Sequence, residues 1–457
     1  AVVFTMDLKE LARASQEYDI LSPAPGAAEQ NPDEIFQAVA GVMTESLRKS
    51  GQPKSSLRYV SFAAVMHSLI LLDIDKKPLL NAWTWADLRS SPQAERLKTD
   101  TRFYQKTGCP IHPMYWPAKL LHIQEHYPEV WDQVAHAVSL KEYIMYRLSG
   151  ELAADASVAS ATGLLNTHEL QWDQELLGTI AAPARWFSPV LEPTQHISGL
   201  RPDMAERIGL PRDVPLILGC SDGTLSNVGS GAVRPGVMAL MVGTSGAVRT
   251  LIPKPKLHDQ QNTWCYYLGA KTWVSGGATN NGGNVLKWLR QELTDNTVGF
   301  ETLSEWAAQS QPGSGGILFL PFLAGERSPH WNYDARATYF GLHLQTKKSD
   351  LVRAAMEGVA FQLYSIYQAL ISLNGTPDHI RCTGGIANSP VWMGIMADIF
   401  GHDLEVPAFV EGSAFGAAVL AKIASGEFRD FSDAEDAIPQ GAVTSYDLGR
   451  HRFYQGL

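Results

Sequence analysis

The chain has 457 residues, of which 45% are hydrophobic and 18% charged, and its formal net charge is −10. This composition is typical of a folded globular protein, and the length predicts two or three domains. The negative charge argues against nucleic acid or an anionic membrane as a partner, because both bind basic surfaces.

Strand-like and helix-like segments alternate along the first half of the chain. A strand is predicted at residues 1–4, and a helix begins at Asn31-Pro32, has an acidic first turn and ends at Gly51. The other predicted elements are strands at residues 59–66 and 69–72 and helices at residues 117–126 and 141–148.

The same alternation continues in the second half. A long amphipathic helix is predicted to begin with Ser349 as its cap and to end at Asn374-Gly375, and another helix to begin at Ser389-Pro390. The remaining elements are strands at residues 238–242, 271–275 and 379–382, a helix at 281–293 and a helix of small residues from Ser413. Alternating strands and helices favour an α/β fold. An Arg-Pro-Gly turn at residues 234–236 predicts a boundary between domains of residues 1–233 and 234–457.

The cysteines and the apolar runs bear on the compartment. Cys109, Cys220, Cys265 and Cys382 are far apart and form no C-x-x-C pair, which favours a reducing compartment without a disulfide framework. No apolar run approaches membrane-spanning length, and no signal-peptide pattern is visible at the N-terminus. We therefore expect a cytoplasmic protein.

Two apolar runs end abruptly in small, hydroxyl-bearing residues. Residues 216–221 lead to Asp222, and residues 238–242 lead to a Gly243-Thr244-Ser245-Gly246 turn. A carboxylate beside a glycine-flanked phosphate cradle is the minimum set for transferring a phosphoryl group to an alcohol. The alternatives are an aspartate that caps the following helix and an ordinary turn at a strand end.

Further glycines mark strand-to-helix junctions in the second half. Gly276-Gly277 and Gly282-Gly283 precede one helix, and Thr383-Gly384-Gly385 follows another strand. Such junctions favour a nucleotide held by backbone amides and helix N-termini.

Aromatic and charged residues follow the strand that ends at Met66-His67. Trp83, Trp85 and Asp87 are typical of a polyol site, in which a ring covers C–H faces and a carboxylate accepts hydroxyl hydrogen bonds. The alternative is that both tryptophans are core residues and that Asp87 and Arg89 form a surface pair.

Residues 122–126 match the H-x-x-E-H pattern of zinc peptidases. His122 and His126 would share a helix face, with Glu125 as a base. Pro128 follows at once and no third ligand is evident, so exposed polar residues of a helix are the favoured interpretation.

Taken in order, several motifs resemble those of the FGGY carbohydrate kinases. They are residues 65–67 with 85–87, 141–143, 155–157, 162–166 with 172–173, 219–223, 243–246, 320–327, 383–385 and 411–416. Within this family, Met-His-Ser, Thr-Trp-Ala-Asp, Gly-Thr-Ser-Gly-Ala-Val-Arg and Gly-Glu-Arg-Ser-Pro-x-Trp-Asn are most similar to the gluconate kinases.

The resemblance implies two actin-like, ribonuclease-H-like domains with ATP and sugar in the cleft between them. The first domain would bind sugar and the second nucleotide. The implied reaction is the ATP- and Mg²⁺-dependent phosphorylation of a sugar acid, with D-gluconate and its C6 hydroxyl preferred and 6-phosphogluconate as the product.

The resemblance also implies roles for particular residues and leaves the metal ligands unknown. Asp222 would be the general base. The sugar site would be formed by Met66, His67 and Asp87, with Trp85 nearby. The phosphates would contact Gly243, Thr244 and Gly283, and the adenosine Gly384, Gly385 and Asn388.

The chain departs from the family at its start. The family begins with a strand and an Asp-x-Gly-Thr-Thr phosphate loop that helps to hold magnesium, whereas residues 1–4 resemble the strand after that loop. We expect a segment to be missing from this sequence rather than a natural inactive kinase.

Other functions stay open. A xylulose- or ribulose-type ketose kinase needs no cation for a carboxylate, and a non-catalytic regulator would bind ATP or sugar without turnover. For a sugar acid, Arg89, Lys119 and Arg327 are candidate partners of the carboxylate, and the sequence does not rank them. A homodimer is a family-level expectation.

Overall fold

The computed structural model describes residues 1–197, 199–408, 412–439 and 441–457. Glu411, which opens the last family-like motif, lies outside these ranges. Within them, every helix is too short or too polar to cross a membrane.

The first half of the chain contains short strands and helices in alternation. Its strands are β1 (Val2–Phe4), β2 (Glu10–Arg13), β3 (Glu29–Gln30), β4 (Val60–Ala64), β5 (Ile70–Leu72), β6 (Ala82–Trp83), β7 (His136–Val138), β8 (Ala154–Asp155), β9 (Leu165–Asn166), β10 (Gln171–Trp172), β11 (Val190–Leu191), β12 (His196–Ile197) and β13 (Leu216–Ser221). Its helices are α1 (Pro32–Ser50), α2 (Ser91–Leu97), α3 (Arg102–Thr107), α4 (Trp116–His126), α5 (Pro128–Trp131), α6 (Leu140–Ser149), α7 (Ala156–Ser160), α8 (Gln174–Thr179), α9 (Pro202–Ile208) and α10 (Asp222–Gly229).

The second half contains longer strands and helices. Its strands are β14 (Val237–Val242), β15 (Gly246–Ile252), β16 (Trp264–Gly269), β17 (Thr272–Thr279), β18 (Leu318–Leu320), β19 (Thr338–Phe340), β20 (His379–Thr383), β21 (Leu404–Glu405) and β22 (Val443–Thr444). Its helices are α11 (Gly283–Thr294), α12 (Phe300–Gln309), α13 (Lys348–Asn374), α14 (Pro390–Phe400), α15 (Gly412–Ala424) and α16 (Leu448–Tyr454).

Two of the predicted helix caps are confirmed and a third is wrong. The Asn31 side chain accepts hydrogen bonds from the first-turn amides of α1, and Ser389 caps α14 in the same way, as predicted. The N-cap of α13 is Lys347, so the prediction of Ser349 is wrong. The Asp350 carboxylate accepts a hydrogen bond from the Lys347 N–H at 2.9 Å, which places the start of the helix one turn before that carboxylate.

Parallel strands bring the predicted site residues to the ends of two sheets. In the first half, β13 pairs with β4 in parallel, so Asp222 and Met66-His67 follow neighbouring strands. In the second half, β14 and β20 are parallel neighbours in a seven-stranded sheet with the order β16-β17-β15-β14-β20-β21-β22. Ligands bind beyond the carboxyl ends of such strands, which is where these loops lie.

The helix α10, which begins with Asp222, packs closely against α15. A Cβ atom added to Gly416 would lie 2.3 Å from the Leu225 carbonyl oxygen, so the two backbones approach nearer than a side chain allows. Leu225, Val228, Phe415 and Leu420 belong to one buried apolar cluster. The position of Asp222 therefore depends on packing between helices from the two halves of the chain.

A cavity of about 640 Å³ lies between β1 and β4. Both are edge strands of their sheets, and apolar side chains such as Val3, Val39 and Ala417 line the walls. The predicted site residues, all of them in the described ranges, lie outside these walls, so this cavity is not the candidate active site.

Candidate active site

Asp222 is the first residue of α10, directly after the buried strand β13. The cap of this helix is Ser221, whose Oγ accepts a hydrogen bond from the Thr224 N–H at 3.3 Å. Asp222 is half-buried, and its Oδ1 accepts a hydrogen bond from the Gly223 N–H at 2.6 Å. Ser221 therefore caps the helix, and the Asp222 carboxylate is not needed as the cap and is available to contact a substrate.

The environment of Asp222 suits a general base. Burial raises the pKa of Asp222 to about 6, and the nearby charge of Arg249 limits this rise. Arg249 donates from Nη1 to the Gly223 carbonyl oxygen at 3.0 Å and to Ser226 Oγ at 2.6 Å, which ties β15 to the first turn of α10. In the described ranges Asp222 forms no ion pair. A carboxylate with a pKa near 6 is ionised at neutral pH and is still basic enough to accept a proton.

Met66 and His67 lie beside this helix. A Cβ atom added to Gly223 would lie 2.5 Å from the Met66 terminal methyl carbon, so Met66 contacts the turn that carries Asp222. His67 has a φ of 67°, and its Nδ1 donates to the Ala161 carbonyl oxygen at 2.6 Å. Burial lowers the pKa of His67 to about 3. The ring is therefore neutral, with Nε2 as a hydrogen-bond acceptor suited to a hydroxyl group.

Trp85 and Asp87 have different surroundings. The Trp85 side chain is 41% exposed, and the Arg327 guanidinium carbon lies 5.8 Å from its ring centre. Asp87 is fully buried, and both of its oxygens accept hydrogen bonds from Arg89. Asp87 Oδ2 also accepts from the Ala28 N–H at 2.9 Å. Trp85 is thus exposed beside Arg327, whereas the Asp87–Arg89 pair is buried against the Trp83 ring and is not a surface pair.

The Gly243 turn is joined to the start of α11. The Gly283 N–H donates to the Gly243 carbonyl oxygen at 2.7 Å, and the Asn284 N–H donates to the Thr244 carbonyl oxygen at 3.2 Å. The Thr244 side chain is exposed above this junction. A hydroxyl group therefore lies beside a helix N-terminus, an arrangement that stabilises phosphate.

The Gly384 turn meets the Gly243 turn from the other side. Gly384 has a φ of 93°, and a Cβ atom there would lie 2.4 Å from the Val242 carbonyl oxygen. Gly384, Gly385 and Asn388 are all exposed along this edge. The structure therefore brings together all the residues that sequence reasoning assigned to the nucleotide, at the carboxyl ends of β14 and β20.

The structure adds residues that sequence reasoning did not assign. The hydroxyl groups of Tyr115 and Tyr266 are 2.5 Å apart, and their rings lie edge-on to His67 at 5.1 and 5.9 Å. Burial raises the pKa of Tyr18, and the charge of Asp222 adds to this rise. Only Arg249 had a sequence signal, as the last residue of the Gly-Thr-Ser-Gly-Ala-Val-Arg motif.

The H-x-x-E-H segment lies on α4 without a third ligand nearby. The rings of His122 and His126 stack at 4.2 Å, and Glu125 accepts hydrogen bonds from Gln93 and Arg96. Within the described ranges no group of three or more His, Cys, Asp and Glu side chains is arranged to hold a metal ion. The arrangement does not favour a peptidase.

Two family models match the chain over most of its length. The FGGY family of carbohydrate kinases, N-terminal domain, matches residues 1–229, and the C-terminal domain of the same family matches residues 238–425. The chain is 38% identical over 451 residues to gluconokinase from Bacillus subtilis (strain 168), covering 96% of this chain and 88% of that protein. It is 28% identical over 456 residues to xylulose kinase from Escherichia coli (strain K12), covering 97% of this chain and 92% of that protein.

Solved structures of similar proteins share the fold. Gluconate kinase from Lactobacillus acidophilus superposes with a TM-score of 0.95 at 33% identity, covering 100% of this chain and 92% of that one. A ligand-bound xylulose kinase from the same organism gives the same TM-score and identity and is covered to 93%. These similarities confirm the predicted two-domain α/β fold, but the backbone resembles both kinases equally and does not identify the sugar.

Proposed function

Because the chain belongs to the FGGY family of carbohydrate kinases, we propose that it transfers the γ-phosphoryl group of ATP to the C6 hydroxyl of D-gluconate, giving 6-phosphogluconate. The observation that carries this proposal is the half-buried Asp222 carboxylate, with its raised pKa, at the carboxyl end of β13. The 38% identity to a gluconokinase favours a sugar acid over other substrates.

In the proposed reaction, Asp222 accepts the proton of the sugar hydroxyl as its oxygen attacks the γ-phosphorus. Arg249 is a positioning residue, because it holds the Gly223 carbonyl and the Ser226 hydroxyl and so fixes the turn that carries the base. Met66, His67 and Trp85 form the sugar side of the site, with His67 Nε2 accepting a hydrogen bond from a hydroxyl group. Asp87 would lie on the same side of the site, where it pairs with Arg89, whose guanidinium carbon lies 3.7 Å from the centre of the Trp83 ring.

ATP would lie along the glycine-rich edge of the second half. Gly243, Thr244 and Gly283 would contact its phosphates, where the amides of the first turn of α11 favour negative charge. Gly384, Gly385 and Asn388 would face the adenosine. This division assigns sugar binding to residues 1–233 and nucleotide binding to residues 234–457. Sequence reasoning adds a cytoplasmic location and a homodimer, which stay predictions.

Mg²⁺ fits this site as a partner of the ATP phosphates. The ion commonly takes phosphate oxygens and water together with one or two carboxylates, and here it would lie with the ATP phosphates at the exposed Thr244 side chain, while Asp222 is kept as the base. When bound, it would neutralise charge on the transferring phosphoryl group.

A ketose is the second candidate substrate, because a xylulose kinase structure matches this chain as well as the gluconate kinase structure does. The deciding experiment measures ADP release from ATP and Mg²⁺ with D-gluconate, D-xylulose, D-ribulose and glycerol. Turnover with gluconate alone supports the proposal, whereas turnover with a ketose alone contradicts it. Binding of ATP and sugar without any turnover would favour a regulatory protein.

A further inference from the structure

Two of the three cations near the sugar side are already used by the protein. Arg89 pairs with Asp87 and Glu29 at 2.7 and 2.6 Å. Lys119 is fully buried and donates to three backbone carbonyl oxygens, those of His67, Trp83 and Thr84. Burial lowers the pKa of Lys119 to about 7. The charge of Arg89 is already neutralised by two carboxylates, and all three donors of Lys119 are used, so neither is suited to bind a substrate carboxylate.

Arg327 differs from both. Its Nε atom is buried and has no hydrogen-bond partner, and its Nη2 reaches only the Thr279 carbonyl oxygen, at 3.4 Å. In the described ranges it forms no ion pair. The adjacent Glu326 faces away and accepts hydrogen bonds from the His330 N–H and the Gln362 side chain. A guanidinium group removed from water without an anionic partner is costly, unless a ligand supplies the anion.

A second unpaired donor lies close to Arg327. His112 Nδ1 accepts a hydrogen bond from the Met114 N–H at 3.1 Å, so the ring hydrogen of the neutral imidazole is on Nε2. His112 Nε2 is buried without a partner. The centre of the His112 ring lies 6.0 Å from that of Trp331, whose backbone N–H donates to the Arg327 carbonyl oxygen, and burial lowers the pKa of His112. The ring therefore stays neutral and presents one N–H group near the guanidinium.

These two groups lie in the same cleft as the base. The Arg327 guanidinium carbon lies 5.8 Å from the centre of the Trp85 ring, and its Nη2 lies at the last residue of β17, Thr279. β17 pairs with β15, whose Arg249 donates to the Gly223 carbonyl oxygen next to Asp222. Two buried N–H donors without acceptors thus lie on the sugar side of the site. Because each unsatisfied buried donor costs free energy, a ligand with acceptor oxygens is expected there.

We propose that Arg327 and His112 form the receptor for the carboxylate of a sugar-acid substrate. Arg327 would donate from its guanidinium edge, His112 would donate from Nε2, and Trp85 would cover the chain of the sugar acid. This inference rests on the proposed function, since it names the groups that distinguish a sugar acid from a neutral sugar. A hydroxymethyl group has no charge to pair with Arg327 and would leave the guanidinium unneutralised.

The test compares D-gluconate with D-glucitol, which carries a neutral hydroxymethyl group at C1. Dissociation constants are measured by calorimetry, and KM by ADP release, for the unmodified protein, Arg327→Gln, Arg327→Lys and His112→Phe. Arg336→Gln is the matched control, because Arg336 is exposed on the same loop. Melting temperature and ATP affinity report whether each variant is folded.

Losing hydrogen bonds to a charged group corresponds to an increase of about 10- to 150-fold in the gluconate dissociation constant for Arg327→Gln. The same variant should change the glucitol value by less than about threefold, so the preference for gluconate disappears. Arg327→Lys should keep part of the preference for gluconate over glucitol, because lysine keeps the positive charge but not the planar guanidinium group with its paired donors. His112→Phe should weaken gluconate binding selectively, and the control should change neither ligand.

Equal weakening of both ligands, or unchanged gluconate binding in Arg327→Gln, would overturn the proposal. So would equal affinity of the unmodified protein for gluconate and glucitol. If Arg327→Gln does not fold, the same comparison of gluconate with glucitol is made with Arg327→Lys and His112→Phe, and equal weakening of both ligands in these variants would overturn the proposal. Failure of the proposed function looks different: gluconate would bind through Arg327 but would not be phosphorylated.

Discussion

Replacing Asp222 with asparagine removes the proposed general base while keeping the shape of the side chain. Positioned acid–base groups contribute about 10²- to 10⁴-fold to rate, and kcat of Asp222→Asn should fall by about that factor. The Gly223 N–H can still donate to the asparagine Oδ1, so the first turn of α10 should be preserved. Affinity for ATP and gluconate should change by less than about threefold, since the neutral amide keeps the packing with Met66.

The same substitution should raise the free energy of unfolding. Burial raises the pKa of Asp222 from 3.8 to about 6, so the folded state binds a proton that the unfolded state has released between these pH values. Stability contributed by this group is therefore present below about pH 4 and lost as the pH rises through 6. At neutral pH the cost is at most about 3 kcal/mol, because two pKa units at 1.36 kcal/mol each are involved. Asparagine avoids this cost.

Two assays together test the roles of Asp222 in catalysis and in stability. Stopped or coupled ADP-release assays between pH 5 and 8 give kcat, and urea unfolding at pH 4 and pH 7 gives stability. The unmodified enzyme should lose kcat/KM below about pH 6, as Asp222 becomes protonated. Asp222→Asn should be more stable than the unmodified protein at pH 7 and equal to it at pH 4. Full activity in this variant, or a loss of stability at pH 7, would refute the reasoning.

Three further substitutions test the surroundings of the site. Gly384→Ala should lower ATP affinity and cost about 1–3 kcal/mol of stability, because the added Cβ meets the Val242 carbonyl oxygen. Gly426 has a similar positive φ but open space around it, so Gly426→Ala measures the cost of the backbone conformation alone. Equal losses of stability in the two variants would contradict a steric clash at Gly384. Gly416→Ala should separate α15 from α10 and reduce kcat together with melting temperature, whereas Gly394→Ala, in open space on α14, should stabilise by about 0.5–1 kcal/mol. Arg89→Gln should cost about 3–5 kcal/mol by leaving Asp87 buried and unpaired. A loss in urea unfolding as small as that of Arg48→Gln, which breaks an exposed pair, would contradict this expectation.

Local signals in the sequence predicted the elements that position the site. The cap at Asn31 and the left-handed glycine at Gly51 bound α1 as expected, because both act within one turn of the helix. The glycine junctions were found for the same reason, since a tight strand-to-helix turn needs small residues at fixed positions. The error at Ser349 has a local cause too. The Asp350 carboxylate accepts a hydrogen bond from the Lys347 N–H, so the helix begins before Ser349.

The roles of the charged residues could not be predicted, because their partners are distant in sequence. Glu29 pairs with Arg89 across 60 residues, and Lys119 binds carbonyl oxygens of a strand and a loop that lie 35 to 52 residues away. Only the folded chain shows that these two cations are satisfied and that Arg327 is not. The sequence did not reveal the buried pair of Asp87 with Arg89 for the same reason, and the place of Asp87 in the sugar site stays a prediction.

The site combines residues from both halves of the chain, and this has a consequence for the reaction. The base and Trp85 belong to the first half, whereas Arg327, Arg249 and the phosphate-binding glycines belong to the second. The Tyr115–Tyr266 hydrogen bond and the Arg249 contacts to α10 join the two halves next to the sugar side. Separation of the halves would therefore move the base away from the phosphates and the carboxylate receptor away from Trp85 at the same time. Substrate recognition and phosphoryl transfer thus require the same closed arrangement, which also excludes the water that would otherwise accept the phosphoryl group.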